Sequence, residues 1–292
     1  MNGILLIDKE AGWTSNDVVQ KLRGALHEKR VGHAGTLDPM ATGLLTVFVG
    51  RATRAVQFAE SDEKTYIAGL RLGLTTDTQD ITGSILSRQK PQVSEALLRS
   101  TLVNFTGPQQ QIPPMYSAVK IGGQKLYTLA RKGKTVDRKP RSITIRELTL
   151  EAYDGERAQL CVRCSKGTYV RTLCHDIGEQ LGCGGCLSAL RRTRSGKFSV
   201  AQCVTMEQLI AAKAAEEQEA MILPVDQLFS DRPPLTLDDI QAVRFKNGGN
   251  ITVETDISGQ CRVYDREGGF LALGEIRENT LFTVKSFFEP VG

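Results

Sequence analysis

The chain has 292 residues, of which 40% are hydrophobic and 24% charged, and a formal net charge of +4. That is the make-up of an ordinary globular protein long enough for two domains, and it excludes disordered, collagen-like and disulfide-scaffold classes. No apolar run approaches the roughly 18–20 residues needed to span a bilayer. Asp8 cuts short the apolar start Gly3-Ile-Leu-Leu-Ile7, so this segment is expected to be a buried strand and not a signal peptide, with the protein in the cytoplasm.

In chain order, a strand at Gly3–Asp8 precedes a helix capped by Thr14-Ser15-Asn16, with Val18, Val19, Leu22 and Leu26 on one face. The stretch Val31-Gly-His-Ala-Gly-Thr-Leu-Asp-Pro-Met-Ala-Thr-Gly-Leu-Leu45 then places one carboxylate, Asp38, between glycine-bearing turns and a short apolar helix, close to His33 and the basic run His27–Arg30. An acid beside cations reads as a nucleophile aimed at a polyanion. The same residues also spell a helix start, with Asp38 as N-cap and Pro39 at the first helical position. Strands are expected at Leu44–Val49 and Lys64–Leu72, helices near Thr53–Ala59 and Val93–Leu102, and a polar loop with Asp77 and Asp80 at Thr75–Gly83.

Gly107–Pro140 stands apart, with prolines at 108, 113 and 114 and glycines at 122 and 123; it reads as a mobile insertion with one short helix around Gln124–Lys132. Between Val119 and Arg146 nine Lys/Arg face one acid, Asp137, so the rest of the chain is net acidic. A second cluster, Arg191-Arg192-Thr-Arg194-Ser-Gly-Lys197, follows. Two dense cationic clusters on an otherwise acidic chain favour a phosphate backbone as partner over a merely solvated face.

Strands near Ser142–Glu151 and Ala158–Ser165 and helices at Tyr169–Leu181 and Met206–Ala215 lead to a linker at Ser230–Pro234, then to short β-like runs at Asn250–Glu254, Cys261–Asp265, Phe270–Ile276 and Leu281–Phe287. The seven cysteines include Cys161-x-x-Cys164 and Cys183-x-x-Cys186, a spacing in the structural-zinc range. The first pair lies in a strand pattern, where residues three apart point to opposite faces, and it lacks the tight turn of a zinc knuckle. No zinc is expected, and an odd number of thiols fits a reducing compartment.

Six segments occur in fixed order: Asp8-Lys9-x-x-Gly12-x-Thr-Ser15, Gly32-His-Ala-Gly-Thr-Leu-Asp-Pro-x-Ala-Thr-Gly43, Lys64-Thr-Tyr66, Pro114-Met-Tyr-Ser-Ala-Val-Lys120, Cys164-Ser-Lys-Gly-Thr-Tyr-Val-Arg171 and Leu190-Arg-Arg-Thr193. Together they resemble the TruB family of tRNA pseudouridine synthases, over residues 3 to about 229, and the tail resembles the small RNA-binding PUA domain of those enzymes. The resemblance implies an α/β (α+β) fold, with a mixed, largely antiparallel central sheet, flanking helices and a thumb-like basic insertion at about 107–140. Residues 1–230 would form the catalytic domain and residues 235–292 a small β-rich PUA-like domain.

The resemblance also implies the chemistry: isomerisation of uridine 55 in the tRNA T arm, with base flipping, breakage of the N1–C1′ bond and re-attachment through C5. Asp38 matches the catalytic aspartate, Arg171 the arginine paired with it, and Tyr66 the tyrosine that stacks on the base and helps remove the C5 proton. Asp80 is a candidate second partner of Arg171. His33, Tyr169 and Leu190 match residues around the flipped nucleotide, and Lys9, Lys64 and Lys120 are expected to contact substrate. No cofactor or metal is implied, and no nucleotide-cofactor motif is present. Glu10 stands where the family usually has Pro, and Gly185-Cys186 where an Ala-His pair is common.

A stand-alone monomer acting on the T stem-loop is the first expectation. A guide-RNA-dependent relative would carry an N-terminal extension, whereas the first motif here begins at Asn2-Gly3. A non-catalytic tRNA-binding or folding module is the rival from another class.

Overall fold

A computed structural model describes residues 1–59 and 63–288. The expected elements form where local signals are strong. Thr14 caps the Ser15–Leu26 helix through a reciprocal capping box with Asp17, and Val18, Val19, Leu22 and Leu26 are buried as one face. Strict alternation makes Lys64–Leu72 a strand, buried at every second residue. The 170s helix spans Val170–Gln180, and its neighbours Arg141–Tyr153 and Arg157–Cys164 are paired strands.

The central sheet runs in the order Gly3–Lys9, Thr42–Val49, Gly185–Ser195, Lys64–Leu72, Arg157–Cys164, Arg141–Tyr153, Gly107–Gln111, with Val31–Ala34 added against Thr42–Val49. Every pairing is antiparallel except one: Thr42 and Gly43 run parallel beside Arg191 and Arg192. Gly43, at φ +96°, is required at this junction, because a Cβ there would lie 2.3 Å from the Arg192 carbonyl oxygen. The parallel junction brings the loop that carries Asp38 over the middle of the sheet. Gly178 serves a similar end, letting the Val170–Gln180 helix touch the Gly184–Gly185 backbone.

Four expectations are corrected. No helix follows Asp38: Pro39–Met40 form a turn closed by the Ala41 N–H on the Asp38 carbonyl, and the chain enters the Thr42–Val49 strand at once. Asp38 is therefore not a helix cap. Gly107–Gln111 belongs to the sheet, paired with Arg141–Ile145, so the insertion occupies residues 112–140 and its helix is only Leu126–Ala130. Gly185–Ser195, which spans the Leu190–Thr193 motif and most of the second cationic cluster, is an interior strand not expected from the sequence. The tail holds a helix, Asp239–Lys246, announced by an Asp238/Gln241 capping box that the β-like texture around it obscured.

The tail's five strands run in the order Pro234–Thr236, Gly259–Tyr264, Phe270–Arg277, Thr280–Ser286, Ile251–Thr252. This sheet packs on the larger unit through an aromatic cluster in which Phe229 meets Phe58 at 5.3 Å, Phe287 at 6.1 Å and Phe270 at 6.3 Å. Such pairs add about 0.5–1.5 kcal/mol each beyond the area they bury. Tyr264 donates to Asp226 at 2.7 Å across the same boundary. No helix among the described residues is long and apolar enough to cross a membrane.

Candidate active site

Asp38 sits in the loop above the sheet, and Arg171, in the first turn of the Val170–Gln180 helix, meets it with two bonds: Nε to Oδ2 at 2.9 Å and Nη2 to Oδ1 at 3.1 Å. This fork-on-fork geometry fixes both the position and the plane of the carboxylate. The remaining donors of Arg171 reach the Tyr116 carbonyl at 2.7 Å, the Thr78 carbonyl at 3.2 Å and Asp80 Oδ2 at 3.4 Å. Asp80 is thus the second partner of the arginine. Its other oxygen accepts from the Thr82 N–H and from the hydroxyls of Thr78 and Thr82, so Asp80 is held inside its turn.

The two carboxylates differ in access. The Asp80 side chain is 6% exposed and that of Asp38 33%, so Asp38 is the one that meets solvent. Burial pushes the Asp38 carboxyl above the ordinary carboxylate range; Arg171 opposes this and the charge of Asp80 adds to it. Because a third of the side chain still meets solvent, water limits the rise.

Tyr66 and Leu190 lie on adjacent strands, Tyr66 opposite Arg192 and Leu190 opposite Ala68. Cross-strand partners share a face, so Tyr66, Ala68, Leu190 and Arg192 project to the same side of the sheet. Burial raises the Tyr66 phenol above its usual range, with Arg192 opposing, which keeps it neutral at ordinary pH. Tyr169 is the residue just before the Arg171 helix. His33, on the Val31–Ala34 strand, has a buried Nδ1 with no partner among the described residues, and burial holds its imidazole below the usual range.

The expected lysines part company. Lys120 is exposed on the insertion. Lys9 is 1% exposed, and its ammonium donates to the carbonyls of Trp13 at 2.7 Å, Glu10 at 2.8 Å and Pro39 at 3.3 Å. It ties the first strand to the Asp38 loop instead of reaching substrate; burial lowers its pKa to about 8. Lys64 is also buried, its stem packed toward the Gly35 turn.

The second cationic cluster is likewise corrected. Arg192 is 1% exposed and donates to the Leu44 carbonyl at 2.7 Å and the Gly35 carbonyl at 2.9 Å. Arg191 pairs with Asp8 at 2.7 Å and Lys197 with Asp231 at 3.2 Å. Arg192 holds the Asp38 loop and Arg191 the first strand, while Lys197 meets the segment after Phe229. Of the three arginines only Arg192 is buried, and the Arg191 side chain is 43% exposed. The insertion keeps its charge outward: Lys120, Lys125, Arg131, Lys132, Lys134 and Lys139 are exposed, while Pro113, Pro114, Ser117 and Leu126 are buried. Tyr127 lies 5.5 Å from the charged groups of both Lys125 and Arg131.

Cys161 and Cys164 lie on a strand, as their sequence pattern implied, and all seven cysteines are free thiols. Among the described residues no group of three or more His, Cys, Asp or Glu is placed to hold a metal ion. The carbonyls of Tyr116 and Thr78 that complete the Arg171 shell were not read from the sequence. Main-chain acceptors carry no residue signature, although Tyr116 lies within the Pro114–Lys120 motif.

Residues 23–170 match the TruB family pseudouridylate synthase (N terminal domain), residues 171–230 the tRNA pseudouridylate synthase B C-terminal domain, and residues 233–283 the C-terminal region of pseudouridine synthase II TruB. Proteins named tRNA pseudouridine synthase B are 44% identical in Pseudomonas fluorescens (strain Pf0-1), over 96% of this chain and 93% of theirs, and 43% identical in Azoarcus sp. (strain BH72), over the same shares. Among solved structures, a chain of a Cbf5-Nop10-Gar1 complex superposes with a TM-score of 0.75 at 25% identity, covering 99% of this chain and 85% of that one. A chain of an H/ACA RNP bound to a substrate RNA shares the fold at a TM-score of 0.74 and 22% identity. With the paired carboxylate, the mixed sheet and these likenesses running nearly end to end, the chain belongs to the TruB family of pseudouridylate synthases.

Proposed function

We propose that this protein is a stand-alone synthase that isomerises uridine to pseudouridine at position 55 in the T arm of tRNA. The observation that carries the reading is the Asp38–Arg171 pair, one carboxylate held by two bonds, a third exposed to solvent and near the buried Tyr66. The likeness to proteins named tRNA pseudouridine synthase B supplies the substrate class. The match over 93% of those relatives favours this reading over the guide-dependent one.

The exposed cations of residues 112–140 neutralise phosphates and hold the T stem-loop, which is read by shape and by unstacked bases. The target base leaves its stack at a cost of a few kcal/mol. Stacking on Tyr66 offsets about 1–3 kcal/mol of that, with Leu190 and Tyr169 around the ring and His33 beside the displaced nucleotides. Asp38, held ionised by Arg171, is the reacting group that opens the N1–C1′ bond. The uracil turns within the pocket, C5 bonds to C1′, the C5 proton leaves to solvent, and N1, freed from C1′, takes up a proton from solvent in its place. A neutral Tyr66 phenol suits stacking better than removal of that proton. No net redox change or group transfer occurs, so the residues of the chain suffice. The residue 1–230 unit is the catalytic domain and residues 235–292 a PUA-like module held against it; the enzyme is a cytoplasmic monomer.

The test is tritium release from an unmodified tRNA transcript labelled at uridine C5. Wild type releases one equivalent without guide RNA or partner protein, and Asp38→Ala loses on the order of 10⁴-fold or more in rate while still binding tRNA. Tight binding with no release by wild type would replace this reading with a tRNA-folding module.

A further inference from the structure

The insertion leaves the sheet at Gln111 and returns at Arg141, and these two residues are register partners on neighbouring strands. Gln111 is 4% exposed, and its side chain does not point toward the cations of the insertion. Its amide clamps the main chain of Tyr169: Nε2 donates to the Tyr169 carbonyl at 3.1 Å and Oε1 accepts from the Tyr169 N–H at 2.8 Å. Both halves of a buried amide are thereby satisfied on one residue. Tyr169 precedes the helix of Arg171 without providing a side-chain cap, and its carbonyl accepts from the Leu173 N–H at 3.1 Å. The clamp therefore supplies the side-chain hold on the helix entry, including the partner of the Tyr169 N–H.

A second link runs from the same segment. Nη2 of Arg171 donates both to Asp38 and to the carbonyl of Tyr116, which lies five residues beyond Gln111. The root of the insertion therefore touches the catalytic pair from two sides, through Tyr169 and through Arg171 itself.

We infer that Gln111 is a positioning residue, which couples the seating of the cationic insertion to the alignment of the base pocket and the Asp38–Arg171 pair. The inference rests on the uridine-isomerase reading given above. RNA drawn onto the insertion loads its root, and the root is fastened to Tyr169 at a helix entry two residues from Arg171. A displacement there of about 1 Å is enough to lower a rate about 100-fold, because reacting groups must be held in near-attack geometry. Gln111 is predicted to touch no part of the RNA.

Two variants separate this role from bulk stability. Gln111→Glu keeps the acceptor for the Tyr169 N–H but sets an oxygen against the Tyr169 carbonyl. Gln111→Met keeps length and burial and removes both bonds. In each, single-turnover tritium release at saturating enzyme falls about 10- to 100-fold, while tRNA affinity stays within about twofold of wild type and the circular-dichroism spectrum is unchanged. The acid limb of the rate profile moves to higher pH, as Arg171 loses its hold on Asp38. Gln111→Asn, which retains both amide groups one methylene short, gives an intermediate rate and serves if either other variant does not fold.

Hydrogen exchange at the Tyr169 amide provides a readout that needs no turnover: it accelerates at least tenfold in Gln111→Met if the clamp holds that amide. Folded variants with wild-type rates overturn the coupling, as does lost affinity with an unchanged saturating rate, or unaltered exchange at Tyr169. A wild-type protein that releases no tritium overturns the isomerase reading instead, and the exchange measurement still decides the clamp.

Discussion

The insertion at residues 112–140 and the strand Gly185–Ser195 are both rich in cations, and in the sequence they look alike. In the structure they do opposite things. All the insertion's lysines and Arg131 stand in solvent, where a phosphate backbone can reach them, and only Arg138 is drawn inward. Arg191 and Arg192 face acids and carbonyls of the protein itself, and Arg192 is among the largest fully buried side chains. A cluster of positive charge is therefore evidence for RNA only after its surroundings are known. An interior strand supplies a guanidinium with five donors where loop carbonyls need them; in the insertion Arg138 alone is drawn in this way, donating to the Pro113 carbonyl at 3.0 Å.

The contrast can be tested first where it is largest. Arg192→Met leaves the carbonyls of Leu44 and Gly35 unpaired in a buried site and is expected to destabilise the fold by about 3–5 kcal/mol, measured by urea unfolding; the neighbouring exposed Arg194→Met should stay within about 0.5 kcal/mol. Equal effects would erase the distinction between the two positions. In the insertion the signs invert. Lys132→Glu with Lys134→Glu leaves the melting temperature in place and weakens tRNA binding about 10- to 100-fold near 0.1 M salt. It also flattens the salt dependence of binding by about one unit for each phosphate that is no longer neutralised. A lowered melting temperature with unchanged affinity would contradict the assignment.

Arg171 lies between these extremes, a buried arginine whose partner is the carboxylate proposed to react, and it predicts a pH effect smaller than either. Burial raises Asp38 above its usual value of 3.8, so kcat/KM falls with a single-proton slope as the pH drops through that raised value. The native state binds this proton more tightly than the unfolded chain, so through the same window the group adds to stability as pH falls. Activity should therefore be lost reversibly from a folded protein, and recovery of the rate on return to neutral pH, with the circular-dichroism signal constant throughout, is the check. Loss of activity only together with unfolding would contradict it.

Much of this molecule is legible locally. The alternation in Lys64–Leu72, the capping box ahead of Ser15, and the apolar spacing before Gln180 each select one structure from a few neighbouring residues. The Asp38 and Arg171 motifs were also readable, because each keeps its residue types within a few positions. The misreadings share a cause. Gly185–Ser195 breaks its alternation with arginines, since its cations answer carbonyls brought from residues 35 and 44. Gly107–Gln111 looked like loop because its glutamines and proline have no strand signature until Arg141–Ile145 pairs with them. Lys9 gives no hint that three carbonyls surround it.

The sequence by itself determined the elements with strong local signals, the Asp38 and Arg171 motifs and the family, because these depend on residue type and short spacing. Only the tertiary structure decided which cations face solvent, that Asp80 and the Tyr116 carbonyl complete the shell of Arg171, and that Gln111 grips Tyr169. Those contacts join residues tens of positions apart, and main-chain carbonyls, identical at every position, become specific acceptors only once the chain has been folded around them.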